Sequence, residues 1–425
     1  MSPHDIQNDR DQSSRYRPWR IKILGATWLA YVGYYFCRKP FYVAKVGIAD
    51  ALSLSPAEIA HLGTAYLVAY MAGQFASAYL GRRLGPKLLL LAGTGISIAS
   101  TFFFGMSNSF WTLVLWIALN GLAQGTGWPG CIGSLAYWFR RTERGSVLGL
   151  WSTCYQIGPI LATLLASYLL GAMGWRYSFF GGSMALLAIW FAILVLHPNR
   201  PEDAGLQPLA DEDDTSMNDG DGRGWDRGVV VTIALMGLIY FCIKFLRYAL
   251  WSWLPWFLNK NFFISQANAG YLSTVFDICG FAGVIAAGFL SDRIFRGRRS
   301  FLSFMMICVM TVSFFAMYYL GSKSLVVFAV SIGFAGFMLF GPDSLLSGAG
   351  AIDVGSRKGA LAAAGIINGM GSIGPIFQEQ LVGWMYQRYD QSLFPVLFML
   401  VCVASAGAVL TCLLWLRSKR GRADV

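Results

Sequence analysis

Charge is scarce in this sequence. Of 425 residues only 13% are Asp, Glu, Lys or Arg, against roughly 25% in an ordinary globular chain. Acid is scarcer than base: 22 Asp plus Glu stand against 33 Lys plus Arg, for a net charge of +11. Histidine is nearly missing, and His4, His61 and His197 have no metal-ligand or catalytic partner at usable spacing. The eight cysteines (Cys37, Cys131, Cys154, Cys242, Cys279, Cys308, Cys402 and Cys412) lie in apolar runs and form no CxxC pair. They read as small buried hydrophobes, not as disulfides or metal ligands. Residues 1–20 are polar and lack an apolar h-region, so no cleavable signal peptide is expected. No nucleophile–base pair stands out. These shortages argue against an enzyme and against any cofactor or metal.

What is abundant is apolar. The chain is 56% hydrophobic with a mean hydropathy of +0.53. Runs long enough to cross ~30 Å of hydrocarbon lie at about 21–45, 57–80, 87–107, 109–136, 145–171 and 176–197, and again at about 228–257, 267–291, 299–320, 323–349, 358–384 and 392–416. The expected fold class is an all-α membrane protein with twelve transmembrane helices in two six-helix bundles. Residues 1–20 are an N-terminal segment, disordered or amphipathic; 21–197 form the first bundle; 198–227 form a linker carrying Asp211, Glu212, Asp213 and Asp214; 228–416 form the second bundle; 417–425 are a tail. In such a chain the positive charge reads as loop charge rather than a nucleic-acid surface.

Orientation follows from where that charge sits. With both termini and the linker inside, 24 Lys plus Arg fall inside and five outside, the five being Lys45, Arg176, Lys260, Lys323 and Arg388. The remaining four, Arg38, Lys39, Lys244 and Arg247, lie within helices. This bias predicts cytoplasmic termini. The halves also repeat. AYLGRR at 78–83 corresponds to GFLSDR at 288–293, with Arg83 and Arg293 210 residues apart; Arg38 and Arg247 are 209 apart, and Gly158-Pro159 and Gly374-Pro375 are 216 apart. Parallel six-helix repeats predict a pathway at the repeat interface near the midplane.

The chemistry concentrates in Tyr31–Phe41, YVGYYFCRKPF. An arginine at bilayer depth costs ~2.5–3.5 kcal/mol on insertion scales, and Lys39 follows Arg38 directly. Such residues persist where they face a protein interior or a wet cavity. Helical steps place Tyr31, Tyr34 or Tyr35, Arg38 and Tyr42 on one face, and Tyr240, Lys244, Arg247 and Trp251 repeat the pattern. Two guanidiniums on opposite walls of a cavity can grip a phosphate by forked hydrogen bonds. The bland alternative is pairing with the buried acids Asp277, Asp343 and Glu379, but three acids cannot neutralise four cations. Asp277 either orients Lys244 or Arg247 until substrate displaces it, or carries a proton. Asp343 and Glu379 read as packing contacts, a cytoplasmic gate or substrate contacts. NGLAQGTGWPG (120–130) has no Lys-Ser or Lys-Thr after it and no strand before it, so it is not a phosphate-cradling loop. Its small residues allow close helix approach, and Trp128 lines a cavity or packs a kink.

The motifs YYFCRKPF (34–41), NGLAQGTGWP (120–129), WF with RRTERG (138–145), LRYALWSWLP (246–255) and GFLSDRIFRGRR (288–299) resemble the organophosphate:phosphate antiporters of the major facilitator superfamily. HPNRPEDAGL at 197–206 is similar to the end of the first half in glucose-6-phosphate carriers. The resemblance implies the major facilitator fold, phosphate binding by Arg38 and Arg247, auxiliary cations at Lys39 and Lys244, and a coupling acid at Asp277. It implies a cavity lined by Tyr31, Tyr35, Tyr70, Trp128 and Trp151. The sequence departs from glycerol-3-phosphate and hexose-phosphate carriers at Gln74, where they have lysine, and at Tyr155, where they have histidine. Ser252 stands where the glycerol-3-phosphate carrier has aspartate, and Arg82 where a loop aspartate is usual.

The function implied is exchange of an organophosphate, such as a hexose 6-phosphate, glycerol 3-phosphate or phosphoglycerate, for inorganic phosphate. The expected protein is a monomer in the cell membrane, binding small phosphates and no nucleic acid. Two alternatives stand beside it: a hexose-phosphate sensor of the same fold, and a proton-coupled organic-anion transporter.

Overall fold

The computed structural model describes residues 3–140, 143–207, 227–295, 298–346 and 351–419. The acidic cluster of the linker lies outside the described residues. Among the described residues the chain is helical, with no strand. The helices are α1 (Pro3–Phe36), α2 (Lys39–Leu52), α3 (Pro56–Leu84), α4 (Pro86–Met106), α5 (Phe110–Gln124), α6 (Gly127–Trp138), α7 (Arg144–Trp151), α8 (Cys154–Met173), α9 (Trp175–Leu196), α10 (Arg227–Phe262), α11 (Gln266–Phe289), α12 (Arg299–Tyr319), α13 (Leu325–Ser344), α14 (Ala351–Arg388) and α15 (Leu393–Lys419). They make twelve membrane spans. The pairs α1–α2, α5–α6 and α7–α8 are each one span broken near its middle, and a π-helical turn at Leu290–Ile294 continues α11.

Local chemistry sets the ends and the breaks. Ser55 and Glu58 form a reciprocal cap on α3: the Ser55 hydroxyl accepts from the Glu58 N–H at 3.2 Å, and the Glu58 carboxylate accepts from the Ser55 N–H at 2.8 Å. Ser265 and Ser324 cap α11 and α13 by accepting from Asn268 and Val327 N–H groups. The break at Cys37–Arg38 follows from Pro40, which has no N–H to return to the preceding turn. The carbonyls released there find other neighbours. Cys37 O accepts from the Asn120 amide at 2.8 Å, and Gly182 lies against Phe36 O so closely that a Cβ would come within 2.1 Å. At the corresponding place in the repeat stands Ala249, and α10 runs unbroken through it.

The chain forms two compact units. The first holds the described residues up to 41 and from 65 to 207; the second holds residues 42–64 and the described residues from 227 onward. In the first unit α1 packs on α6, α8 and α9, and α4 packs on α5, α6 and α9. The N-terminal segment is ordered helix rather than coil. Tyr16 is buried, its ring 6.2 Å from that of Trp138, and Arg20 donates to Trp138 O and pairs with Glu143 at 3.1 Å. In the second unit α10 packs on α14, α11 on α13, and α12 on α15. The α11–α13 approach is close because small residues face each other; a Cβ on Gly283 would come within 2.0 Å of Phe337 O.

One expectation fails in an instructive way. Lys45, counted from the sequence as a loop charge, lies within α2 and is fully buried. Its burial puts it with the cations expected within the spans, so the number of loop charges expected outside falls from five to four.

Candidate substrate-binding site

In the first unit the break after Phe36 delivers Arg38 to a wall of polar and aromatic groups. Its Nε donates to Gln124 Oε1 at 2.8 Å. Gln124 Oε1 also accepts from the Tyr66 hydroxyl at 2.9 Å, and its Nε2 donates to Asn120 Oδ1 at 3.1 Å. Ser97 completes the network by donating to Asn120 Oδ1 at 2.6 Å. The guanidinium lies over the rings of Tyr35, Tyr66 and Tyr70, at 5.2, 5.6 and 4.9 Å. Among the described residues no carboxylate pairs with it. A cation held by amide and phenol groups in a low-dielectric setting keeps its field, and its terminal nitrogens are left for an acceptor such as a phosphate oxygen.

Beside it the expected aromatic residues come together. Tyr31 lies 5.9 Å from Tyr35, 5.2 Å from Trp151 and 4.8 Å from Tyr155 between ring centres. Trp128 lies 5.6 Å from Trp151 and 5.9 Å from Tyr155. Tyr70 stacks on Tyr66 at 6.1 Å, and Gln74 is half-buried on α3 where Gly125 meets its backbone. Of the face inferred from helical spacing, Tyr35 rather than Tyr34 is the member that stays with Tyr31 and Arg38, and Tyr42 leaves it. Tyr34 donates to or accepts from Thr126 at 2.7 Å, and Tyr42 packs on Trp251 at 4.9 Å within the second unit. The turn at Cys37–Arg38 interrupts the helical spacing on which that face depended.

In the second unit Arg247 pairs with Asp343 and lies over Phe340 at 4.2 Å. Asp343, read from the sequence as a packing contact, a gate, a substrate contact or one of the acids that could pair with the helical cations, is an acid on this arginine. Lys244 does not take the expected Asp277 partner. Its ammonium donates to Asn368 Oδ1 at 2.7 Å and Ser372 Oγ at 3.2 Å, with Tyr240 beneath it at 4.8 Å. Both hydrogen-bond acceptors are neutral, and the Asp343 carboxylate, paired with Arg247, acts on this charge without bonding to it. Asp277 is buried in α11, and Lys39 is buried at the start of α2.

A third polar centre was not foreseen. Lys45 pairs with Glu379, and both are at most 1% exposed. Ser252 accepts from Lys45 at 2.7 Å and donates to Glu379 at 2.8 Å, while Trp253 Nε1 donates to Glu379 at 3.0 Å. The Lys45 ammonium sits 3.8 Å from the Trp253 ring centre. The Ser252 hydroxyl thus links a lysine to a carboxylate from α14. Asn120, Gln124, Asn368 and Ser372 were also missed. Their signal was available: each pair is polar, four residues apart, in an otherwise apolar helix.

Twelve spans and buried, partly uncompensated cations describe a membrane carrier. A model of the Major Facilitator Superfamily matches residues 27–241 and 236–424. The chain is 30% identical over 382 residues to sugar phosphate exchanger 3 of Xenopus laevis, covering 77% of this chain and 75% of that protein. It is 26% identical over 405 residues to a probable hexose phosphate transport protein of Chlamydia pneumoniae, covering 90% and 89%. It is 27% identical over 423 residues to the membrane sensor protein UhpC of Escherichia coli K12, covering 96% and 95%. Among solved structures, a bacterial homolog of the human lysosomal transporter Spinster, inward-facing and occupied, matches with a TM-score of 0.72 at 15% identity, covering 95% of this chain and 97% of that one; this likeness bears on the fold alone. The chain belongs to the Major Facilitator Superfamily, and within it to the organophosphate:phosphate antiporter family.

Proposed function

We propose that the protein exchanges a phosphate ester of the sugar-phosphate or three-carbon class for inorganic phosphate by alternating access, in the cell membrane, as a monomer with cytoplasmic termini. The observation that carries this is Arg38, a guanidinium deep in a membrane span whose described partners are an amide and three phenol rings. Such a group wants an anion, and a forked donor suits a tetrahedral oxyanion. Arg38 in the first unit and Arg247 in the second are the proposed phosphate-binding residues. Lys39 and Lys244 raise the local potential, and Asp277 is the proposed coupling acid. Tyr31, Tyr35, Tyr70, Gln74, Trp128, Trp151 and Tyr155 are the proposed lining for the organic group. The names of the exchanger and hexose phosphate relatives support the substrate class. Counterflow of labelled phosphate in proteoliposomes against a panel of phosphate esters, with and without a pH gradient, tests the reading. Exchange that needs an ester or phosphate on the opposite side supports it. Uptake driven by the pH gradient alone would replace it with proton coupling.

The long match to a membrane sensor favours one second reading, binding of a hexose phosphate without transport. Ester binding by purified protein, together with no exchange in proteoliposomes, would select it.

A further inference from the structure

α14 presents three faces of different character. Ile366, Ile373 and Phe377 are exposed and apolar, and at 100° per residue they fall within about 40° of one another. Ile367 is buried, and Gly371 lies so close to Tyr240 that a Cβ would come within 2.3 Å of its ring. Asn368 and Ser372 sit roughly 200–240° round from Ile366, on neither the apolar exposed stripe nor the packed one. Asn368 is nonetheless exposed. A polar side chain exposed at this depth, away from the apolar stripe, marks a wet cavity.

The amide of Asn368 is held in one orientation. Its Oδ1 accepts from Lys244 Nζ at 2.7 Å, which fixes which end of the amide faces the ammonium and turns Nδ2 away from it. Ser372 is already committed, accepting from Lys244 at 3.2 Å and donating to Asn368 O at 2.8 Å. Both N–H groups of Nδ2 are without a partner among the described residues. The neighbouring turn is clear: a Cβ on Gly365 or on Gly369 would meet nothing within 4 Å. Lys244 is one turn from Arg247 on unbroken α10.

We infer that Asn368 is a specificity-determining residue, donating from Nδ2 to a hydroxyl oxygen of the organic group of a phosphate ester. The assignment rests on the proposed exchange of phosphate esters. A neutral amide beside a charged lysine suits this role. The cations attract the dianion, whereas an amide N–H adds little for a phosphate that already has charged donors. To a hydroxyl oxygen it offers a neutral donor, held in place by Lys244, beside the cations of α10. Inorganic phosphate has no organic group, so loss of the amide should separate ester from phosphate.

The test compares wild type, Asn368→Ala, Asn368→Asp and Ser372→Ala in proteoliposomes. Each is assayed for phosphate self-exchange and for exchange of phosphate with glucose 6-phosphate, glycerol 3-phosphate and their deoxy analogues. Asn368→Ala is expected to raise the KM for at least one hydroxylated ester about tenfold, the upper range of one hydrogen bond, and to change the KM for phosphate less than twofold. Its KM for the matching deoxy ester should equal that of wild type. Asn368→Asp keeps the acceptor for Lys244 and should lose the same discrimination, which separates the lost donor from a disturbed lysine. Ser372→Ala should leave the ester-to-phosphate ratio unchanged. A uniform loss for phosphate and esters in Asn368→Ala, or an unchanged ratio in both Asn368 variants, overturns the inference. Wild-type protein that exchanges phosphate with no ester in the panel overturns the ester-exchange reading itself, and this assignment with it.

Discussion

Changing Glu379 to glutamine removes a charge while keeping the shape of the side chain. The change leaves Lys45, fully buried, facing a neutral amide in place of its carboxylate. Ser252 and the Trp253 ring remain, but a hydroxyl and a ring face do not replace an anion in a low-dielectric site. Removing one partner of a buried ion pair costs ~3–5 kcal/mol. Since 1 kcal/mol shifts the melting midpoint of a body of this size by about 2–4 °C, the expected fall is ~6–20 °C. Lys45→Met should cost less. Glu379 keeps donors from Ser252 and Trp253, at 2.8 and 3.0 Å, that can hold a carboxylate. The double variant should lie above Glu379→Gln alone, because it no longer buries an unpaired charge. Intrinsic tryptophan fluorescence and size exclusion of heated, detergent-purified protein give the midpoints. A Glu379→Gln protein within 2 °C of wild type, or a double variant whose loss equals the sum of the single ones, would refute the reasoning (about 2 °C being the smallest shift per kcal/mol).

Arg38→Lys and Arg247→Lys keep charge but lose the planar fork. Each should weaken phosphate binding about tenfold or more, as charge-assisted hydrogen bonds contribute roughly 1.5–3 kcal/mol; wild-type affinity in both, measured by exchange and by isothermal titration, would mean that only total charge matters. Asp343→Asn removes the carboxylate that occupies Arg247, so the KM for phosphate should fall about fivefold, within the worth of one charge-assisted bond, and a rise in KM would assign Asp343 to positioning rather than competition. Phosphate efflux into phosphate-free buffer should be much slower than exchange, because reorientation of the empty carrier buries Arg38 and Lys244, whose hydrogen-bond partners are neutral; equal rates would indicate a uniporter or a symporter. Gly121→Val should abolish stable expression, since a Cβ there would come within 2.4 Å of Tyr66 O, and normal yield on size exclusion would show that α3 and α5 can separate.

The spans, the two repeats and the aromatic wall were legible because each is local or periodic. A run of apolar residues announces a membrane span wherever it packs, and Tyr31, Tyr35, Trp128, Trp151 and Tyr155 did come together. What the sequence hid was pairing at a distance. Asp277 was the expected partner of Lys244, but the ammonium found Asn368, 124 residues on. Asp343 rather than a nearer acid met Arg247. Lys45 lies at the end of its apolar run, where an error of a few residues moves a side chain from membrane to loop. Its spacing from Arg38 through Tyr42 matches the pattern from Tyr240 to Arg247, so the hint existed. Only the fold could show that its anion comes from α14. The kink at Cys37–Arg38 was written in Pro40, and it explains why Tyr42 parts company with Tyr31 and Tyr35.

The pairing of Lys45 with Glu379 also has a history in time. The two residues are 334 positions apart, and a ribosome adding about 5–20 residues per second makes the carboxylate ~17–67 s after the lysine. Through that interval the ammonium has neither Glu379 nor, at first, Ser252 and Trp253. Residues 42–64 therefore cannot settle in their final place when the first spans are inserted. They have to wait, with Lys45 in contact with water or headgroups, until the last third of the chain arrives. A nascent chain arrested before residue 379 should leave a cysteine placed at position 46, beside the retained Lys45, open to a water-soluble maleimide, and the finished protein, in which Val46 is buried, should close it.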